Sequence, residues 1–375
     1  MNDRLEPIGT VAILGLGLMG GSLGLAISDA ALAVRVIGFD KDEGVRAKAL
    51  KLGAITHTAD SLPQAVADAE LIFIATPVRS IPAVFAEAAA LMKPDSIVTD
   101  VGSTKAGLVE QLGELVPAGV HFIGGHPVAG SEKEGIDAAT ADLYSGCLWI
   151  LTPTEATSPA AYGRLVRFLT ALECRVLALE PRRHDEALAL TSHLPQLVSS
   201  TLMGFASDVA NAGEGLPLLT AGGFKDMTRI AGSSPDLWVD IIRENRPALL
   251  GLVRRFQEAF GLAAVYVEQG DWERLRGWLE DARVARRSLA AKPGLAPAEL
   301  VELLIPVSDR PGVLSEITTT VGEAGVNIED LNIVHSAEGG RGVIHLSVNG
   351  RAGADSARSA LEKKGYRVEE EPKAR

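Results

Sequence analysis

Residues 10–14, Thr-Val-Ala-Ile-Leu, run directly into Gly15-Leu16-Gly17-Leu18-Met19-Gly20, and a helical pattern follows to about residue 31. A second apolar run at 34–40 ends in Asp40. Glycines spaced G-x-G-x-x-G between a strand and a helix, with an acidic residue closing the next strand, leave few folds open. Gly15 permits the tight turn, Gly17 lets the backbone approach a pyrophosphate, and Gly20 allows close helix–strand packing. Leu16, Leu18 and Met19 complete the turn, where the helix N-terminus offers N–H groups and partial positive charge to phosphates. Asp40 is placed to accept hydrogen bonds from both ribose hydroxyls of NAD and to repel a 2′-phosphate. Lys41 beside it softens that repulsion.

The pattern continues with strands expected at 71–75 and 96–100, separated by an Ala-rich helix. Each ends in a polar or proline-bearing turn, the first carrying Thr76 and the second Ser103-Thr104-Lys105. Alternating strands and helices predict a doubly wound parallel sheet. Ser103 and Thr104 either cap the next helix or, as read for Ser103, face the ligand crevice. A strand at 120–123 is expected to stop at Gly124-Gly125, placing His126 in a glycine-bounded turn restricted by Pro127. Ligands of open α/β sheets bind outside the carboxyl ends of the strands, so His126 stands where a reacting group belongs. Strands at 147–151 and 174–179 finish this domain.

A net charge of −12 argues against nucleic acid or an anionic membrane surface as the main partner. The two cysteines, Cys147 and Cys174, have no CxxC spacing and read as buried thiols of a reducing compartment. There is no metal-ligand cluster in the sequence. The apolar run 11–27 is too glycine-rich, and too poor in cleavage signals, for a signal peptide. A cytoplasmic protein is expected.

After Pro181 the chain reads as helical throughout 182–289. His184 and His193 are nine residues apart, on nearly opposite faces of a regular helix, so one of them faces the crevice; His193 is the favoured one. Lys225 and Arg229 are four apart and share a helical face. Two stacked cations repel unless an anion joins them, and the planar fork of Arg229 suits a carboxylate. Ser233-Ser234-Pro235 caps a long apolar helix that carries Trp238, with a kink expected at Pro247. Residues 290–299 are a Pro/Gly linker. Beyond it, strands at 300–307, 327–335, 342–348 and 366–370 and helices at 311–324 and 355–364 give a βαββαβ order, a ferredoxin-like domain.

With these residues assembled, the chain resembles the prephenate dehydrogenases that carry a C-terminal ACT domain. The matches are Gly-His-Pro-Val-Ala-Gly-Ser-Glu-Lys at 125–133, Ser-His-Leu-Pro at 192–195 and Gly-Phe-Lys-Asp-Met-Thr-Arg-Ile-Ala at 223–231. In the tail they are Asp-Arg-Pro-Gly-Val-Leu at 309–314 and Gly-Val-Asn-Ile at 325–328. The resemblance implies a Rossmann-type NAD-binding domain at 8–181, an all-α dimerisation domain at 182–289 and an ACT regulatory domain at 300–371. It implies oxidative decarboxylation of prephenate, with NAD taking the hydride and His126 the ring hydroxyl proton. By the same resemblance Ser103 assists His126, Arg229 holds the ring carboxylate with Lys225 in support, and His193 contacts the side chain. Glu132 closes the crevice, and a homodimer could bring Trp238 to the partner's active site. Tyrosine is the implied effector, at Asp309 and Asn327, although Val307 stands where some amino-acid-binding relatives have a polar residue. Arogenate dehydrogenase is the alternative; the neutral Gln196 tilts the reading toward prephenate. A 3-hydroxy-acid reductase would need Lys225 as its catalytic lysine, and a non-enzymatic amino-acid sensor would leave His126, Arg229 and Asp40 without purpose.

Overall fold

The computed structural model describes residues 6–129, 133–210, 222–290, 300–308, 310–335 and 341–370. Glu132, Asp309 and linker residues 291–299 lie outside these. The chain divides into two units, Met1–Phe256 and Gln257–Arg375.

The first unit is built on an eight-stranded sheet. Its strands are β1 (Ile8–Leu14), β2 (Ala33–Phe39), β3 (His57–Thr58), β4 (Leu71–Ile74), β5 (Ile97–Asp100), β6 (His121–Val128), β7 (Leu148–Thr152) and β8 (Arg175–Ala178). They lie in the order β3-β2-β1-β4-β5-β6-β7-β8. The first six positions follow the dinucleotide-binding order, with the chain reversing direction beside β1. Alternation along β1 shows why both faces are covered. Val11 and Ile13 enter one core with Leu23 and Phe168, while Ala12 and Leu14 enter another with Ile81 and Phe85. A sheet buried on both sides reads as continuous apolar runs, which is how these strands read in the sequence.

Two expectations are corrected here. The sheet is not wholly parallel, because β6 and β7 run antiparallel. Nor does β6 stop at the glycine pair. It follows β5 only as far as Ile123, then pairs with β7 from Gly124 to Val128, with His126 opposite Ile150. The glycines serve close approach rather than a turn: a Cβ on Gly125 would lie 2.5 Å from Thr99 Oγ1 and 2.6 Å from the Asp100 carbonyl. His126 therefore projects from a strand, a firmer base than a loop.

The helical part of this unit begins with a helix at Pro181–Leu188, passes through a π-helical turn (Ala189–His193) and continues in a helix at Leu194–Ala210. A short helix, Gly222–Thr228, gives way to a 3-10 turn, Arg229–Gly232. The expected long kinked helix is instead two helices, Pro235–Glu244 and Arg246–Gln269, separated at Asn245. Pro247 lies in the first turn of the second, where its missing N–H costs nothing.

In the second unit, a helix at Trp272–Ala290 precedes a four-stranded antiparallel sheet. Its strands β9 (Leu300–Ser308), β10 (Ile328–His335), β11 (Arg341–Asn349) and β12 (Glu369–Glu370) lie in the order β10-β11-β9-β12. The two helices of this domain, Val313–Glu323 and Gly350–Lys363, cover one core with Leu303, Ile305 and Leu346. This is the βαββαβ arrangement expected. Among the described residues no helix is long and apolar enough to cross a membrane.

Candidate active site

The dinucleotide turn has the geometry its glycines require. Gly15 has φ +98°, a left-handed conformation, and a Cβ there would meet the Ala75 carbonyl at 2.6 Å. Gly17 caps α1 (Leu18–Asp29) with nothing within 4 Å of a would-be Cβ, so this face of the turn is open to a phosphate. Asp40 follows β2, and its Oδ2 accepts from Leu16 N–H (2.9 Å) while Oδ1 accepts from Asp42 N–H (3.1 Å). The carboxylate is thus fixed against the turn. Beside Gly15, Thr76 Oγ1 is buried without a partner among the described residues, a cost of about 1–3 kcal/mol unless a ligand or water meets it. Met19 is held from behind, its carbonyl accepting from the buried Tyr144 hydroxyl (2.8 Å). Open turn, oriented carboxylate and unsatisfied hydroxyl together fit a dinucleotide.

Beyond the turn, β6 and the helix Pro181–Leu188 together carry an imidazole relay. His126 Nδ1 lies 2.8 Å from His184 Nε2, and His184 Nδ1 lies 2.8 Å from Asp185 Oδ1. All three side chains are buried. The proton positions follow from Asp185, whose Oδ1 and Oδ2 also accept the N–H groups of Lys105 and Ala106, each at 2.8 Å. A carboxylate accepts only, so neutral His184 carries its proton on Nδ1 and leaves Nε2 as an acceptor. His126 then carries its proton on Nδ1, and its Nε2 presents a lone pair. Burial, helped by His184, Lys105 and His193, holds the His126 pKa well below the usual histidine value. His126 is a neutral base with a defined tautomer.

A second polar network holds the strand that bears it. Asp100, at the end of β5, accepts from Gly125 N–H (3.0 Å) and Gly102 N–H (2.9 Å) and pairs with the fully buried Lys105 ammonium. Deleting one member of such a pair costs about 3–5 kcal/mol, because the other is left buried and uncompensated.

His193 is set by Asn245. The Asn245 amide nitrogen donates to the Asp185 carbonyl (2.7 Å), which fixes its orientation, and it meets His193 Nδ1 at 3.0 Å. Nδ1 is therefore the acceptor, and neutral His193 carries its proton on Nε2. Burial lowers the His193 pKa to about 4, against an opposing pull from Asp185. Trp238 packs edge-on to this ring, centroids 6.0 Å apart, so it contacts the site of its own chain. Gln196 donates to the Ile230 carbonyl (3.0 Å), tying the helix Leu194–Ala210 to the turn that opens with Arg229; its buried Oε1 has no partner among the described residues.

Against the sequence expectations, the structure joins His126, His193 and Trp238 through one buried cluster. It also brings in His184, which the opposite-face argument set aside. The reason is the π-helical turn at Ala189–His193: its wider i→i+5 spacing changes the phase between the two histidines. Asp185, Asn245, Asp100 and Lys105 were missed as well; their partners lie up to 80 residues away in sequence. The adjacent His184-Asp185 pair was the one signal available. Ser103 is half-buried and does not fill the Nδ1 position of His126, which His184 occupies. Lys225 and Arg229 are both exposed, and Arg229 lies one residue past the helix that carries Lys225. Thr228, the last residue of that helix, donates its hydroxyl to the Phe224 carbonyl (2.7 Å), and the chain passes into the 3-10 turn at Arg229. Asn327 is exposed, donating to Glu329 (2.7 Å).

Comparisons with known proteins bear on this geometry. Residues 23–178 match the family model described as the prephenate dehydrogenase nucleotide-binding domain. Residues 180–281 match the prephenate dehydrogenase dimerization domain, and residues 301–365 the ACT domain. The chain is 34% identical to the prephenate dehydrogenase of Bacillus subtilis (strain 168), over 90% of this chain and 91% of the relative. It is 33% identical to the cyclohexadienyl dehydrogenase of Zymomonas mobilis, over 76% of this chain and 98% of that one. A crystal structure of the A. aeolicus prephenate dehydrogenase, in complex with hydroxyphenyl propionate and NAD+, superposes with a TM-score of 0.71 at 28% identity. That match covers 76% of this chain and all of the other.

Proposed function

The chain belongs to the prephenate dehydrogenase family, and from that premise we propose that it converts prephenate to 4-hydroxyphenylpyruvate by NAD-dependent oxidative decarboxylation, with His126 as the base. The observation that carries this is the Asp185–His184–His126 relay, which leaves the His126 Nε2 lone pair available in a buried, neutral ring. NAD, when bound, accepts the hydride from the ring carbon bearing the hydroxyl. His126 Nε2 takes the hydroxyl proton as the hydride leaves, a general-base contribution of roughly 10²–10⁴ in rate. Carbon dioxide departs with the C–C bonding pair left in the ring, which becomes aromatic. His184 and Asp185 hold the proton on His126 Nδ1, so the basic nitrogen is not lost to the other tautomer. Gly15 to Gly20, Asp40 and Thr76 are the residues that would hold the dinucleotide.

On the substrate side, Arg229 binds the ring carboxylate with Lys225 in support, Ser103 positions the hydroxyl, and Glu132 closes the crevice. His193 offers its Nε2–H to the side chain, with Trp238 against its ring. A hydrogen-bond donor suits the keto oxygen of prephenate, whereas the ammonium of arogenate only donates. The unpartnered Gln196 Oε1 favours the second reading, arogenate, because it is an acceptor. We weigh His193 above it because Asn245 fixes the His193 tautomer and leaves Nε2–H as a defined donor. The family's dimerisation domain supports a homodimer through 182–289, and the ACT domain supports tyrosine as an effector bound near Asp309 and Asn327. The deciding experiment measures NADH formation with prephenate and arogenate side by side. The expected result is a kcat/KM at least about tenfold higher for prephenate, the scale of discrimination that one matched polar contact supports. A higher value for arogenate overturns the substrate assignment.

A further inference from the structure

The proposed reaction uses neither cysteine, yet the fold brings the two together. Cys147 immediately precedes β7 and Cys174 immediately precedes β8. These strands are parallel neighbours with Leu148 opposite Arg175, so the cysteines also face one another across the sheet. Their Sγ atoms are 3.7 Å apart and both thiols are free. Adjacent strands lie about 4.8 Å apart, inside the Cα separation of about 4.4–6.8 Å that a disulfide spans. The chain has no third cysteine to compete.

The pair is asymmetric. Cys147 is half-buried, while Cys174 is 4% exposed. The Cys174 thiol hydrogen bond lowers the Cys147 pKa against an opposing push from partial burial, with the Arg175 guanidinium adding to the lowering, and the same bond with burial pushes the Cys174 thiol up. A more accessible sulfur with a lowered pKa beside a buried one with a raised pKa is the arrangement of an attacking and a resolving cysteine.

The pair also touches the dinucleotide site. The Tyr144 carbonyl accepts from Cys147 N–H (3.0 Å) and lies 3.6 Å from Cys174 Sγ. The hydroxyl of the same tyrosine holds the Met19 carbonyl in the first turn of α1. We propose that Cys147 and Cys174 are a hydroperoxide-sensitive pair that closes reversibly to a disulfide, and that closure loosens the dinucleotide turn through Tyr144.

The chemistry balances with a hydroperoxide, ROOH, as oxidant. The Cys147 thiolate attacks the terminal oxygen, the O–O bond breaks, and the departing alkoxide takes a proton to leave as ROH. Cys174 then attacks the Cys147 sulfur; the S–S bond forms, the S–O bond breaks, and hydroxide leaves with the Cys174 proton as water. Two thiols lose two electrons in total, and the peroxide gains them. Drawing the sulfurs to bonding distance pulls on both groups that bind the Tyr144 carbonyl, so the Tyr144–Met19 hydrogen bond shifts from its 2.8 Å optimum.

The test treats the reduced full-length chain with a small excess of hydrogen peroxide. Thiols are then titrated in denaturant, the intact mass is measured, and NAD binding is followed by calorimetry. Expected are a fall from two thiols to none, a loss of two hydrogen masses without dimerisation, and recovery with dithiothreitol. NAD binding should weaken about fivefold on oxidation, the low end of typical coupling between sites, and Cys174→Ser should abolish that change. The Cys174→Ser chain should instead accumulate a sulfenic acid on Cys147 that a dimedone label reports. Two thiols remaining, or over-oxidation without a disulfide, overturns the pair as a redox site. A disulfide that leaves NAD affinity unchanged overturns the link through Tyr144. The thiol and mass readouts do not depend on the proposed function; the NAD readout does.

Discussion

The two sides of the proposed pocket are built in opposite ways. On the base side, His126, His184, Asp185, His193 and Asn245 are all buried and hydrogen-bonded to one another before any ligand arrives. On the carboxylate side, Lys225 and Arg229 are exposed, on a short helix and the 3-10 turn that follows it. Protein dipoles already in place need no reorganisation during the reaction, so the base side is ready for chemistry. A cation in water is screened and gains little from an anion until water is excluded. The contrast teaches that rate should reside in the buried side and substrate affinity in the exposed one.

The sharpest way to break that division is His126→Asn, which keeps a polar side chain and removes the base. We expect kcat to fall by roughly 10²–10⁴ with KM for prephenate nearly unchanged. Retention of more than about a tenth of wild-type kcat would place the base elsewhere.

Protonation probes the same side through stability. His126 and His193 have folded pKa values below the unfolded value, His193 at about 4. Their contribution is therefore fully present above about pH 6.5 and is lost as pH falls toward the folded values, because the unfolded chain takes up protons that the native one refuses. Two such imidazoles should lower unfolding free energy by about 2 kcal/mol between pH 6.5 and 5.5. Urea titrations at the two pH values measure this. The Arg229→Ala chain should show the same slope, and a flat response in wild type would mean that the imidazoles are already accessible to protons.

Arg229→Ala addresses the exposed side. A hydrogen bond to a charged group contributes about 1.5–3 kcal/mol, so KM for prephenate should rise at least about tenfold while NAD affinity holds. Equal weakening of both ligands would mark Arg229 as structural.

How much of this could be read from the sequence differed between the same two sides. The backbone geometry of the glycine turn is legible, since Gly15 to Gly20 and Asp40 act locally and their spacing dictates it. His126 stands out in the sequence as a candidate, but its setting does not: nothing local says that β6 continues through Gly125 and Pro127 to pair with β7. Regular helix geometry turns His184 away from His193, and the π-helical turn that brings them together leaves no dependable mark in residue types. The roles of Asp185 and Asn245 depend on contacts between distant segments. The cations differ again: their spacing is local and readable, but the passage from helix to 3-10 turn between them is not.

The smallest effect we expect isolates the relay from the base it serves. His184 touches no reacting atom and acts by accepting the His126 Nδ1 proton, so it is a positioning residue. In His184→Leu that proton loses its acceptor, and His126 is free to carry it on Nε2, where the ring cannot act as a base. One neutral hydrogen bond contributes about 1 kcal/mol, so kcat should fall only about fivefold, with KM for prephenate and NAD affinity unchanged. A purely structural role would instead lower both the unfolding midpoint and ligand binding. His184→Gln separates the two: its amide oxygen can accept the same proton, and most of the lost kcat should return. If Leu and Gln at this position reduce kcat equally while the chain stays folded, the tautomer is not controlled from His184, and the buried side owes its readiness to burial alone.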